Sequence, residues 1–201
     1  MRELTYFVAV SVDGYICAPD GSFDGFPHAE DTGAFHFAEY PELVPAHVRE
    51  QHGLELGPNR HFDTMVQGYG SYRVALDEGV TRPYAHMREY VLSTSRTSPD
   101  PAVRFISGDP LAAIRELKEE EGELGICLVG GAKAAAALLP EIDALLVKRY
   151  PVLLGAGKPL FDGAGYAPAR FEPVSRHVFD SGADYTLYRR AWPSGGPFPS
   201  R

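Results

Sequence analysis

Short apolar runs separated by amphipathic helical stretches fill most of the first 155 residues, and that alternation restricts the fold more than any other feature. Runs at Leu4 to Val12, Phe62 to Val66, Glu89 to Ser93, Val103 to Ser107, Leu124 to Val129 and Ala144 to Leu154 are each bounded by turn residues and read as strands. Between them lie helices. Asp109 supplies an N-cap carboxylate, Pro110 fits a first turn, and Leu111, Ile114 and Leu117 share one face that Gly122 closes. Ala132 to Leu139 forms a second helix stopped by Pro140, and a third begins near Ser71. Strand–helix–strand alternation needs crossovers, which implies a largely parallel sheet. After Gly155 only strands remain, at Phe171 to Phe179 and Asp184 to Arg190, with Asp180-Ser181-Gly182 as a hairpin turn.

The expected architecture is one α/β domain over residues 1–192: a mostly parallel central sheet of about eight strands, flanking helices and a C-terminal antiparallel hairpin. Residues 193–201 read as a disordered tail. Asp20 to Arg60 carries Pro27, Pro41, Pro45 and Pro58 and reads as a functional loop or lid, with one short helix at Ala46 to His52.

Composition excludes several classes of function. A formal charge of -8 with no basic stripe argues against nucleic acid and anionic membrane surfaces. No apolar run approaches the roughly 18 residues of a membrane span. Cys17 and Cys127 form neither a CxxC motif nor a Cys/His cluster, so the expected setting is a reducing cytoplasm. The seven histidines show no metal-binding spacing, and no GxSxG nucleophile motif occurs.

In open α/β sheets ligands bind at the carboxyl ends of the strands. Three exits there share a character. Val129 leads into Gly130-Gly131-Ala132-Lys133 and a helix, Val66 into Gly68-Tyr69-Gly70-Ser71-Tyr72, and Val91 into Ser93-Thr94-Ser95-Arg96. Glycines admit close backbone approach, and hydroxyls and a guanidinium suit phosphates, so the three together predict a dinucleotide cradle. Neither a GxGxxG fingerprint nor a Walker A loop is present.

Five segments, in order, resemble the dihydrofolate reductase superfamily: Ala9 to Ile16, Gly68 to Tyr72, Leu92-Ser93-Thr94, Val129 to Lys133 and Pro151 to Phe161. They are most similar to the branch containing the reductase domain of riboflavin biosynthesis, and the resemblance spans about residues 2 to 190. It implies NADPH as hydride donor. Ala9 and Ile16 would flank the nicotinamide beneath a mobile flap from Ser11 to Ser22. Gly130, Gly131, Ala132 and Lys133 would face the pyrophosphate, with a cis peptide between the two glycines. Ser71 would reach a phosphate, from the exit that also carries Gly68 and Gly70, and Leu92, Ser93 and Thr94 would line the adenosine end. Tyr69 stands where the family places an arginine for the 2′-phosphate, so NADH also enters, and Arg96 is the candidate replacement cation. Relatives that bind a pterin use a helix carboxylate, for which Glu30, Asp31, Glu39 and Glu42 are candidates.

The implied activity is hydride transfer to a C=N or C=O bond of a small, possibly anionic molecule; the alternative is a silent small-molecule or nucleotide-binding protein on the same fold. Lys148 is the candidate catalytic residue. Strand alternation places Leu146, Lys148 and Tyr150 on one face, where a lysine would hold a substrate anion or donate the accompanying proton. The competing reading is an edge-strand lysine that discourages aggregation. A homodimer is expected, with the Ala144 to Leu154 run or the hairpin offering a sheet edge.

Overall fold

The computed structural model describes residues 1–55 and 57–191, so the expected domain end at 192 and the tail at 193–201 lie outside the described residues. The elements in chain order are β1 (Leu4–Val10), β2 (Tyr15–Cys17), α1 (Glu30–Glu39), α2 (Ala46–Gln51), β3 (Phe62–Gly68), α3 (Tyr69–Asp77), β4 (Arg88–Leu92), β5 (Val103–Ile106), α4 (Pro110–Glu119), β6 (Gly125–Val129), α5 (Ala132–Leu138), β7 (Ala144–Arg149), β8 (Lys158–Pro159), β9 (Phe171–Val178) and β10 (Asp184–Arg190). Eight strands form one sheet in the order β5-β4-β3-β6-β1-β7-β10-β9. Pairing is parallel from β5 to β7 and antiparallel where β10 meets β7 and β9.

Helices cover both faces. On one, Leu4, Tyr6 and Val8 of β1 and Ile126 and Leu128 of β6 pack with Ile114 and Leu117 of α4 and Ala135 and Leu138 of α5. Asp109 caps α4 as its sequence demands, its carboxylate accepting from Leu111 N–H at 2.9 Å. Ile114 is fully buried, and full burial of such a side chain stabilises by about 1.5–3 kcal/mol. The opposite face joins Met65, Cys127, Leu146 and Tyr185 to Phe35 of α1 and to Tyr40 just after it.

Several expectations change. The proline-rich segment holds a full helix, α1, between Pro27 and Pro41, rather than only the short α2. The run from Ala144 to Leu154 stops being a strand at Arg149, because Pro151 has no N–H to donate. Beyond it, the N–H groups of Leu154 and Gly155 donate to the Asp13 carboxylate. β7 lies inside the sheet between β1 and β10 and offers no edge; the edges are β5 and β9. β9 is itself interrupted, by Pro173 and by a register shift opposite Leu187/Tyr188, and both features discourage strand addition. Within the expected flap from Ser11 to Ser22, β2 pairs with β8 and the Leu160 N–H donates to Gly14 O.

Candidate cofactor and substrate site

The three strand exits converge. Gly130 and Gly131 have φ of +56° and +72°, the left-handed region open to glycine. They turn β6 sharply into α5, and a Cβ on Gly130 would lie 2.9 Å from Ser71 Oγ while one on Gly131 would lie 3.3 Å from it and 3.7 Å from the Gly68 nitrogen. The exits of β3 and β6 therefore form one cradle that side chains at 130 and 131 would fill. All peptide bonds among the described residues are trans, which corrects the expected cis bond between the two glycines; positive φ at both residues makes the turn instead. Gly68 also lets α5 approach, since its Cβ would meet the Ala134 methyl at 3.3 Å.

The β4 exit joins the same ridge. The Arg96 guanidinium lies 5.3 Å from the centroid of the Tyr69 ring, and its backbone N–H donates to Ser93 Oγ at 3.2 Å. Thr94, Arg96, Gly70 and Lys133 are exposed there, Ser93 is half-buried, and Leu92 and Ala132 pack into the core.

β1 outruns β6. The last β1–β6 pair is Phe7 with Val129, whereas β1 continues beside β7 to Val10. Ile126 N–H and Gly130 N–H donate to the carbonyls of Glu3 and Phe7, while Asp143 and Tyr150 donate to those of Leu4 and Val10. Alternation thus aims the N–H and C=O of Ala9 at the β6 side, where β6 has already turned away. Ile16 packs on the face opposite the Ala9 methyl.

Lys148 lies beside this notch, opposite Ala9 on one side and Tyr185 on the other. Its place on an interior strand overturns the edge-lysine reading. Its Nζ sits 4.8 Å from the Tyr150 ring centroid and 5.5 Å from that of Tyr185. Burial lowers the ammonium to about 8, opposed by the Asp31 carboxylate. His36 of α1 stacks on Phe7 with centroids 5.5 Å apart. Burial, then the Lys148 charge, pushes His36 down to about 4, so it is neutral near pH 7. Its Nδ1 lies 3.1 Å from the Tyr185 hydroxyl, and the Leu43 backbone opposes the lowering. Burial drives the Tyr185 phenol upward and Tyr150 up to about 12, leaving Lys148 as the acid nearest neutrality in the box.

Of the four candidate carboxylates only Asp31 acts on Lys148. It lies in the first turn of α1 and accepts the Ser181 N–H at 3.0 Å, which depresses its pKa. Glu30 is exposed, Glu39 pairs with Arg60, and Glu42 is fully buried, accepting from the N–H groups of His61 and Phe62. His36 and Tyr185 escaped the sequence reading because three separate strands and an unforeseen helix bring them together.

The profile of the RibD C-terminal domain matches residues 2–185. Two uncharacterized Bacillus subtilis (strain 168) proteins are similar. YwjB is 29% identical over 163 residues, 80% of this chain and 83% of its own length. YyaP is 25% identical over 190 residues, 93% and 94% of the two chains. Among solved structures, a putative riboflavin biosynthesis protein from Shewanella sp. PV-4 superposes with a TM-score of 0.69 at 24% identity, over 96% of this chain and all of that one. The Thermotoga maritima diaminohydroxyphosphoribosylaminopyrimidine deaminase/5-amino-6-(5-phosphoribosylamino)uracil reductase gives 0.62 at 16% identity, over 94% of this chain but 57% of that longer protein. No helix among the described residues is long and apolar enough to cross a membrane. With the family profile spanning nearly the whole described chain, the protein belongs to the RibD C-terminal domain family.

Proposed function

We propose that the protein is an NAD(P)H-dependent reductase that passes a hydride to a C=N or C=O bond of a small, anionic-group-bearing molecule. The carrying observation is that the Gly130–Gly131–Ser71 cradle, the Ala9 notch and the Lys148 box lie in sequence along one end of the sheet. A dinucleotide laid along that line would meet each in turn. The backbone N–H groups from Gly130 to Lys133 and the Ser71 hydroxyl would hold its pyrophosphate, beside Gly68 and Gly70. Leu92, Ser93, Thr94 and Tyr69 would line the adenosine, with Arg96 as the partner of a 2′-phosphate. The Ala9 N–H and C=O, with Ile16 beyond them, would hold the carboxamide end. The bound cofactor supplies the hydride.

The chain's own chemistry lies at Lys148. Its ammonium grips a substrate anion or releases the proton that accompanies hydride transfer. Tyr185, hydrogen-bonded to His36, and Tyr150 hold that ammonium between two rings. Cation–π contact stabilises the charged form while burial weakens its hold on the proton. The expected setting is the cytoplasm and the expected assembly a homodimer, with no nucleic-acid or membrane partner.

A silent binding protein is the second reading, favoured by the Tyr69–Arg96 stack, which engages the adenosine-side cation. The two separate by mixing the protein with NADPH and a panel of small imines, ketones and aldehydes and following nicotinamide absorbance. Oxidation that falls at least tenfold in Lys148→Met supports the reductase; tight NADPH binding with no turnover of any acceptor supports the silent protein.

A further inference from the structure

A cavity of about 400 Å³ opens at the amino end of the sheet. It exists because α1 packs over Phe7 and Tyr185, toward the carboxyl ends of β1 and β7 and the amino end of the antiparallel β10. Thr5, Leu146 and Leu187 make the floor, Tyr40, His61 and Phe62 the wall, and Arg60 and Arg189 the mouth. A second hollow of about 250 Å³ shares Tyr40, Leu146 and Leu187, so the two form one trench. Its volume and its mix of an apolar floor with a few polar groups are those of a small-molecule site.

The wall and the mouth specify the chemistry. Tyr40 and His61 sit with centroids 4.9 Å apart, and Tyr40 stacks on Tyr185 at 6.2 Å and 11°, presenting flat surface to a flat ligand. Arg60 and Arg189 are about half exposed; Arg60 meets Glu39 at 3.5 Å and donates to the Ala38 carbonyl, and Arg189 donates to Glu3 at 3.3 Å. Solvated ion pairs of this kind are worth little, so a bound anion can take the place of the carboxylate. We infer that this trench is a second binding site, for a planar aromatic molecule bearing a carboxylate, sulfonate or phosphate, whose ring lies against Tyr40 and whose anion takes Arg60 and Arg189. Tyr185 lines the second hollow and also meets the Lys148 amine, so the trench adjoins the Lys148 box, yet the site stands whether or not the reductase reading does.

The test uses the aromatic sulfonate dye 1-anilinonaphthalene-8-sulfonate, titrated by fluorescence into the full chain with and without saturating NADPH. One-to-one saturable binding, unaffected by NADPH, weakened at least tenfold in Arg60→Ala/Arg189→Ala and abolished in Leu187→Arg is the expected result. Circular dichroism checks that both variants are folded, and the double variant changes only surface groups. Dye that fails to saturate, that NADPH displaces, or that binds the folded double variant as tightly as the wild type overturns the site. If NADPH itself does not bind, the reductase reading fails while the comparison of variants still decides this one.

Discussion

Replacing Lys148 by Met separates the cost of the lysine to the fold from its use in chemistry. Burial lowers the ammonium from 10.5 to about 8, against the pull of Asp31. At 1.36 kcal/mol per pKa unit the ceiling on that penalty is about 3 kcal/mol. Residual solvent exposure and the two ring contacts reduce it to about 1–2 kcal/mol. A depressed lysine leaves the folded chain holding fewer protons than the unfolded one between pH 8 and pH 10.5, so stability rises with pH across that window and the full penalty applies below it. Methionine keeps much of the stem volume without the charge. The variant should therefore melt higher than wild type at pH 7, by about 2–6 °C for a domain of this size, and the gain should vanish above pH 10.5. Reductase rate should fall at least tenfold with NADPH affinity unchanged. Thermal melts from pH 6 to pH 11 and acceptor turnover decide it; equal melting points at pH 7, or full activity, refute the reasoning.

Arg96→Ala should weaken NADPH by about 1.5–3 kcal/mol and NADH far less, and equal losses in the two titrations would show that Arg96 does not read the 2′-phosphate. His36, depressed to about 4, should make wild type lose stability as pH falls from 6.5 through 4, a slope His36→Phe should lack in acid melts. Glu89, raised to about 7 by burial, acts in the opposite sense: its own contribution falls as pH rises from 4.5 to 7, so the gain of Glu89→Gln over wild type should grow across that range and be complete above it. A Cβ at Gly157 would overlap the Cys17 carbonyl, so Gly157→Ala should separate β2 from β8 and raise proteolytic nicking between Ser11 and Ser22; an unchanged digestion pattern would contradict that role.

How much was legible depended on whether the signal was local. The α4 helix was readable from Asp109-Pro110 and the Leu111, Ile114, Leu117 spacing because cap and burial act within ten residues. The face shared by Lys148 and Tyr150 followed from alternation, and the structure brings the Lys148 amine over the Tyr150 ring. By contrast, α1 has no side-chain cap at Ala29, carries Gly33, and takes its stability from Phe35 packing on Phe179 and Tyr185. Tertiary contact of that kind leaves no periodic trace. The Ala9–Lys148–Tyr185 row is likewise set by pairing between strands far apart in sequence, and the interior place of β7 by the return of β10 along it. The pair Gly130-Gly131 announced a tight turn; the isomer of the bond between them had no local signal, and positive φ proved sufficient.

The most direct test of the account is a fluorescence titration of wild type and Gly131→Val with NADPH and NADH. Valine at 131 would have to adopt φ near +72° and place its Cβ 3.3 Å from Ser71 Oγ, inside the proposed pyrophosphate cradle. Wild type should bind at least one of the two nucleotides saturably, and Gly131→Val, folded by circular dichroism, should bind neither. Saturable binding that survives in the folded valine variant, or no binding by wild type, would contradict the assignment of this end of the sheet to a nicotinamide cofactor.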